Sequence, residues 1–183
     1  MQPSPIAPKG YIPRIVDAQL ERYLDIFGAV EIEGTKWCGK TWTARQHGAS
    51  ISYVDKEYAL ALDDPSLMLV GEKPHIIDEW QRVPSIWNLV RHAADEERGL
   101  HGGWILTGSS TPPQHGKGQP QADKRHSGAG RIGRIRMAPM TLSESQDSTG
   151  SVSLSGLFDG PPATEKTPSD TKELVDIVCR GGW

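Results

Sequence analysis

The chain has 183 residues, a formal net charge of −3, and 36% hydrophobic against 23% charged residues. That length buries a core without disulfides or metal, and the charge argues neither for nor against a polyanionic partner. Cys38 and Cys179 lack metal-ligand spacing, the first residues carry no signal-peptide pattern, and no apolar run reaches membrane-spanning length, so a cytoplasmic protein with free thiols and no membrane partner is expected.

Taken in chain order, residues 1–13 are Pro-rich and read as a flexible arm. Over 17–27, Leu20, Tyr23, Leu24 and Phe27 continue a helical spacing from Val16, which predicts an amphipathic helix leading into a strand over 29–33. The next eight residues, Gly34, Thr35, Lys36, Trp37, Cys38, Gly39, Lys40 and Thr41, fit G-x-x-x-x-G-K-[ST], and a helix can start at Thr41. Such a loop between strand and helix is a phosphate cradle. Its glycines let backbone N–H groups turn inward, Lys40 brings a mobile charge to β- and γ-phosphates, and Thr41 offers a hydroxyl oxygen to Mg²⁺. Trp37 either packs beneath this loop or covers the nucleotide, and Cys38 is expected to face the bound phosphates as a reactive thiol.

A strand over 50–55 follows, and then 74–80, an apolar run ending in Asp78 and Glu79. Two carboxylates at the tip of a buried parallel strand open onto a ligand crevice, where Asp78 holds the magnesium and Glu79 is the general base for an attacking water. Pro84 and Ser85 start a helix with Ile86, Leu89, Val90 and Ala93 on one face, stopped by Gly99. The strand-like 103–110 ends in small polar residues, with Thr107 and Ser109 as candidates to bind the γ-phosphate or the water. Residues 111–121 read as a long mobile loop. Over 124–136, Lys124, Arg125, Arg131, Arg134 and Arg136 occur without an acid, compatible with a solvated basic strand, a trans-acting arginine or a nucleic-acid contact. Residues 143–168 are Ser/Thr/Gly/Pro-dense linker anchored by Val152, Leu154, Leu157 and Phe158, and a last helix carries Leu174, Val175, Ile177 and Val178 up to Gly181. The six histidines show no zinc spacing. Alternating strands and helices predict an α/β fold, the three-layer P-loop NTPase sandwich with a mostly parallel sheet.

Five segments carry a resemblance: Tyr11 to Arg14, the loop from Gly34 to Thr41, Ile76 to Gln81, Leu106 to Ser109, and His126 to Arg131. In that order they resemble the AAA-type ATPase domain of a prokaryotic family of two-domain proteins, in which a C-terminal domain of unknown function follows. The resemblance implies ATP as ligand, Mg²⁺ as cofactor, catalytic roles for Lys40 and Glu79, and Arg131 as an arginine finger acting between copies in a homo-oligomer. It also implies an ATPase domain over 14–142, a linker over 143–168, and a helix over 169–183 that begins a second domain. Three functions are carried forward: a magnesium-dependent ATPase coupled to an effector, a nucleotide-binding module without turnover, and a nucleotide-switched DNA- or partner-binding regulator.

Overall fold

A computed structural model describes residues 4–97, 99–109, 128–161 and 170–180. The expected mobile loop at 111–121, Ser110, Lys124, Arg125, His115, His126, the end of the linker at 162–168 and Gly181 lie outside the described residues. Two units divide the chain, Met1–Tyr11 with Ile15–Ala138, and Ile12–Arg14 with Pro139–Trp183.

In the first unit, helix α1 (Asp17–Leu24) leads into β1 (Ala29–Gly34), α2 (Lys40–His47) and β2 (Ser50–Tyr53). Then come α3 (Tyr58–Asp63), a 3-10 turn (Pro65–Leu69), β3 (His75–Asp78), a second 3-10 turn (Trp80–Arg82), α4 (Ser85–Glu96), β4 (Trp104–Ser109) and β5 (Ile132–Met137). The strands form one five-stranded sheet in the order β2-β3-β4-β1-β5, and every pairing is parallel. Strand alternation then makes two cores. Val30, Ile32, Ile76, Ile105 and Ile135 face one way, against Leu20 and Leu24 of α1 and Ala44 of α2. Ala29, Ile77, Trp104 and Leu106 face the other way, against Ile86, Trp87 and Val90 of α4 and Met68 of the first 3-10 turn. Each fully buried aliphatic side chain stabilises this layering by about 1.5–3 kcal/mol. The result is the expected three-layer α/β sandwich.

Parallel pairing sets all strand C-termini at one edge. The register places Gly34 beside Ser109 and Met137, and Asp78 beside Thr107, so loop and carboxylates predicted separately meet there. The basic strand resolves as β5, with Arg134 and Arg136 outward and Ile135 and Met137 buried. Arg134 does more than meet solvent: it pairs at 3.1 Å with Glu31, its buried register partner on β1, and lies 5.0 Å from the Trp87 ring.

The Pro-rich arm, expected to be flexible from composition, is fastened over residues 4–11. Ser4 Oγ donates to the Arg45 carbonyl at 2.8 Å, and Arg45 Nε donates to the Ile6 carbonyl at 3.1 Å. Tyr11 donates to Asp17 at 2.6 Å and lies 3.1 Å from the Thr43 hydroxyl. Tertiary hydrogen bonds to α1 and α2 thus override what local composition suggests.

In the second unit, Arg14 Nε lies 3.0 Å from Glu144 Oε1, both side chains being buried, while the Thr141 N–H donates to the other carboxylate oxygen at 2.7 Å. A short α5 (Gly156–Asp159) precedes α6 (Thr171–Arg180). Asp170 and Glu173 exchange backbone N–H donations at 2.8 and 2.9 Å, a capping box that fixes where α6 starts. Val152, Leu154, Leu157 and Phe158, expected as apolar anchors, are exposed. Among the described residues no helix is long and apolar enough to cross a membrane.

Candidate nucleotide-binding site

Between β1 and α2 the chain makes a tight loop whose shape depends on two glycines. A side chain at Gly34 would collide with the Met137 carbonyl and come within 2.8 Å of Cys38 Sγ. Gly39, the residue before α2, has φ of 95°, a left-handed conformation that glycine adopts without a Cβ penalty. Trp37 is also left-handed, with φ of 71°, and the residue is 72% exposed, with Lys36 Nζ 5.8 Å from its ring centroid. It therefore does not pack beneath the loop. Cys38, expected to face the phosphates, turns instead into the core with Ile32 and Ala44 and is 3% exposed. Adjacent side chains of the loop thus point to opposite sides.

Lys40 opens α2 and folds back, donating to the Gly34 carbonyl at 3.2 Å and the Thr35 carbonyl at 2.8 Å. Its ammonium is held at the mouth of the loop, where the first N–H groups of α2 have no intrahelical acceptors. Thr41 reaches across to β3 and donates to Asp78 Oδ1 at 2.8 Å. Thr107 on β4 donates to the same oxygen at 2.5 Å. Side chains from α2 and β4 thus converge on one carboxylate oxygen at the end of β3. Lys40 is 6% and Asp78 7% exposed, and among the described residues neither has a partner of opposite charge. Buried ions are normally paired, because removing a charge from water costs several kcal/mol.

Glu79 follows Asp78 with φ of 56° and ψ of 38°. This left-handed residue ends β3 sharply and carries a half-buried carboxylate to the same edge, where the Gln81 side-chain amide donates to it. Ser109, last in β4, stands in register with Gly34 and so at the base of the loop. Arg131 is elsewhere. It precedes β5, so it lies at the opposite edge of the sheet, about 20 Å from the loop at about 3.3 Å per strand residue. There its guanidinium donates to Asp95 at 2.6 Å and holds that carboxyl below the usual aspartate value. Gln81 was visible in the sequence only as the end of the Ile76-to-Gln81 run; its contact with Glu79 depends on the turn at Glu79.

A mostly buried parallel sheet, a glycine-framed loop entering a helix, and two carboxylates at the tip of β3, across β4 from the loop's strand, define a P-loop nucleotide-binding module. The sequence model of the family described as AAA domain matches residues 27–146, well over half of the chain. The chain belongs to the AAA domain family, and it is a nucleotide-binding module of AAA type. Among curated proteins no sequence matches it.

Proposed function

We propose that this chain binds ATP with Mg²⁺ at the Gly34–Thr41 loop and hydrolyses it, in a cycle that drives an effector. The observation that carries the reading is the pair of buried, oppositely charged groups at one sheet edge, Lys40 and Asp78, each held by neutral partners alone among the described residues. A polyanion supplies the countercharge for Lys40, and a divalent cation supplies it for Asp78. The donor set fits magnesium, since Thr41 and Asp78 bring hard oxygens together, and these two residues would hold it. When bound, the cation neutralises charge on the phosphates and orients them.

The chain's own groups then divide the work. Loop N–H groups and Lys40 bind the phosphates, and Thr35, Lys36, Trp37, Cys38 and Gly39 set the loop's path. Glu79 takes a proton from water, while Thr107 fixes Asp78 and Ser109 stands near the loop base to bind phosphate or water. Arg131 cannot reach its own loop across the sheet, so in this reading it serves a neighbouring copy. The thiols at Cys38 and Cys179 fit a reducing, cytoplasmic setting.

Glu79→Gln keeps side-chain size and removes the base. ATP affinity, measured by calorimetric titration, is expected to stay within a few-fold of wild type while hydrolysis falls by about 10²–10⁴-fold. Equal loss of both would locate Glu79 in binding rather than chemistry, and wild-type binding without any turnover would reduce the protein to a nucleotide-binding module.

A further inference from the structure

The amide of Gln81 sits in a position that packing alone does not explain. Its Nε2 donates to Glu79 Oε2, and the reverse orientation would set the amide oxygen against a carboxylate oxygen, so only one orientation makes the bond. The other end, Oε1, is buried and has no hydrogen-bond partner among the described residues. It lies against β4, where a Cβ on Gly108 would come within 2.7 Å of it. Burying an amide oxygen without a protein partner is destabilising, because its hydration is lost and nothing replaces it. A methionine would fill the same space without that penalty. What the amide adds is its donation to Glu79.

Two further features converge on this contact. The left-handed backbone at Glu79 is unfavourable for a residue with a Cβ, and it turns the chain so that Gln81 returns beside the carboxylate. Gly108 leaves room for the amide directly after Thr107, the residue that fixes Asp78. The two carboxylates are therefore positioned by different partners, Asp78 by two hydroxyls and Glu79 by one amide. Glu79 Oε1 has no hydrogen bond among the described residues, which leaves one oxygen free to take a proton while the other is held.

We propose that Gln81 is a positioning residue for Glu79, holding one carboxylate oxygen so that the other faces the water it activates. The inference rests on the base role of Glu79 given above and adds a residue and a direction to it. Gln81 touches neither nucleotide nor water in this assignment, so its removal lowers turnover and leaves binding alone.

The test is a double-mutant cycle on the full chain with Mg-ATP. Gln81→Met is expected to lower kcat about tenfold or more, with KM and the affinity for a non-hydrolysable ATP analogue unchanged. Gln81→Glu, which keeps the shape but cannot donate when ionised, is expected to match it. In a Glu79→Gln background, Gln81→Met is expected to have no further effect on residual turnover, because the side chain it acts through is gone. A fall in affinity together with kcat, or additive losses in the double mutant, would overturn the inference. So would an unchanged or raised kcat in Gln81→Met. If Glu79→Gln collapses turnover and Gln81→Met does not, the base role stands and this inference alone fails; a wild type without turnover removes both.

Discussion

The two edges of the sheet use the same residue types in opposite ways. At the N-terminal edge the Asp95 charge is matched within the fold by two arginines. Arg131 and Arg91 both approach Asp95, at 2.6 and 3.5 Å, and Lys73 sits 3.7 Å from the Trp104 ring centroid while donating to the Leu69 carbonyl at 3.1 Å. His75 lies among Ser50, Ser52 and the Met68 carbonyl, with contacts between 2.6 and 3.1 Å. At the C-terminal edge, Lys40 and Asp78 have only carbonyls and hydroxyls as partners among the described residues. Contacts made within the fold serve stability, although Arg91 Nε at the N-terminal edge is buried without a hydrogen-bond partner among the described residues. In the function proposed above, a charged ligand completes the buried charges of Lys40 and Asp78.

The sharpest way to break the comparison is Lys40→Ala. With the cation gone, phosphate charge loses bonds worth about 1.5–3 kcal/mol each, and ATP affinity is expected to fall by on the order of 10²-fold or more, with turnover lost. Unchanged affinity of the folded variant in calorimetry would mean the C-terminal edge is not the site. Next is Arg131→Ala at the opposite edge. If its guanidinium serves a neighbour, ATP affinity stays near wild type while turnover falls by on the order of 10³-fold. Wild-type specific activity rises with protein concentration, and mixing Arg131→Ala with Lys40→Ala restores part of the activity. Concentration-independent activity without rescue would leave Arg131 as a partner of Asp95 only.

The smallest effect concerns His75 at the N-terminal edge. Burial pushes the His75 pKa below its usual 6.5, with the nearby Lys73 charge acting in the same direction and the Met68 carbonyl opposing. Between the folded value and 6.5 the unfolded chain binds more protons, so stability rises with pH through that window and is lost as pH falls below 6.5. Thermal midpoints recorded from pH 5 to 8 are expected to drop on the acid side for wild type and to drop less for His75→Gln. Parallel curves would place the acid sensitivity in other groups.

The loop, the Asp78–Glu79 pair and Thr107 were legible because phosphate and cation chemistry demand particular residues at particular spacings, and strand periodicity then gave the order of elements. Arg131 carried the right residue type, but which edge it occupies depends on strand direction, which no local pattern contains. The fastening of Ser4, Ile6 and Tyr11 was illegible for a related reason: proline-rich composition reports local stiffness, whereas Arg45, Asp17 and Thr43 supply the partners from elsewhere in the chain. Helix α3 and the 3-10 turn after it are each under two α-helical turns, too short for a periodic signal. Cys38 and Trp37 are neighbours with opposite fates because the left-handed backbone at Trp37 separates their directions.

The junction at Asp78 Oδ1 has a consequence for timing. Both threonines present hydrogen to that oxygen, at 2.8 and 2.5 Å. A ligand to a cation must present a lone pair, and a hydroxyl carries both on one oxygen atom. Thr41 can therefore change from proton donor to electron-pair donor by rotating its hydrogen about the C–O bond, with Oγ1 staying in place. Side-chain rotations of this kind are fast beside the movement of a loop or domain. If the cation proposed above binds at this junction, the change asked of Thr41 is one of hydrogen orientation, and the heavy-atom framework of α2, β3 and β4 can hold still while it occurs.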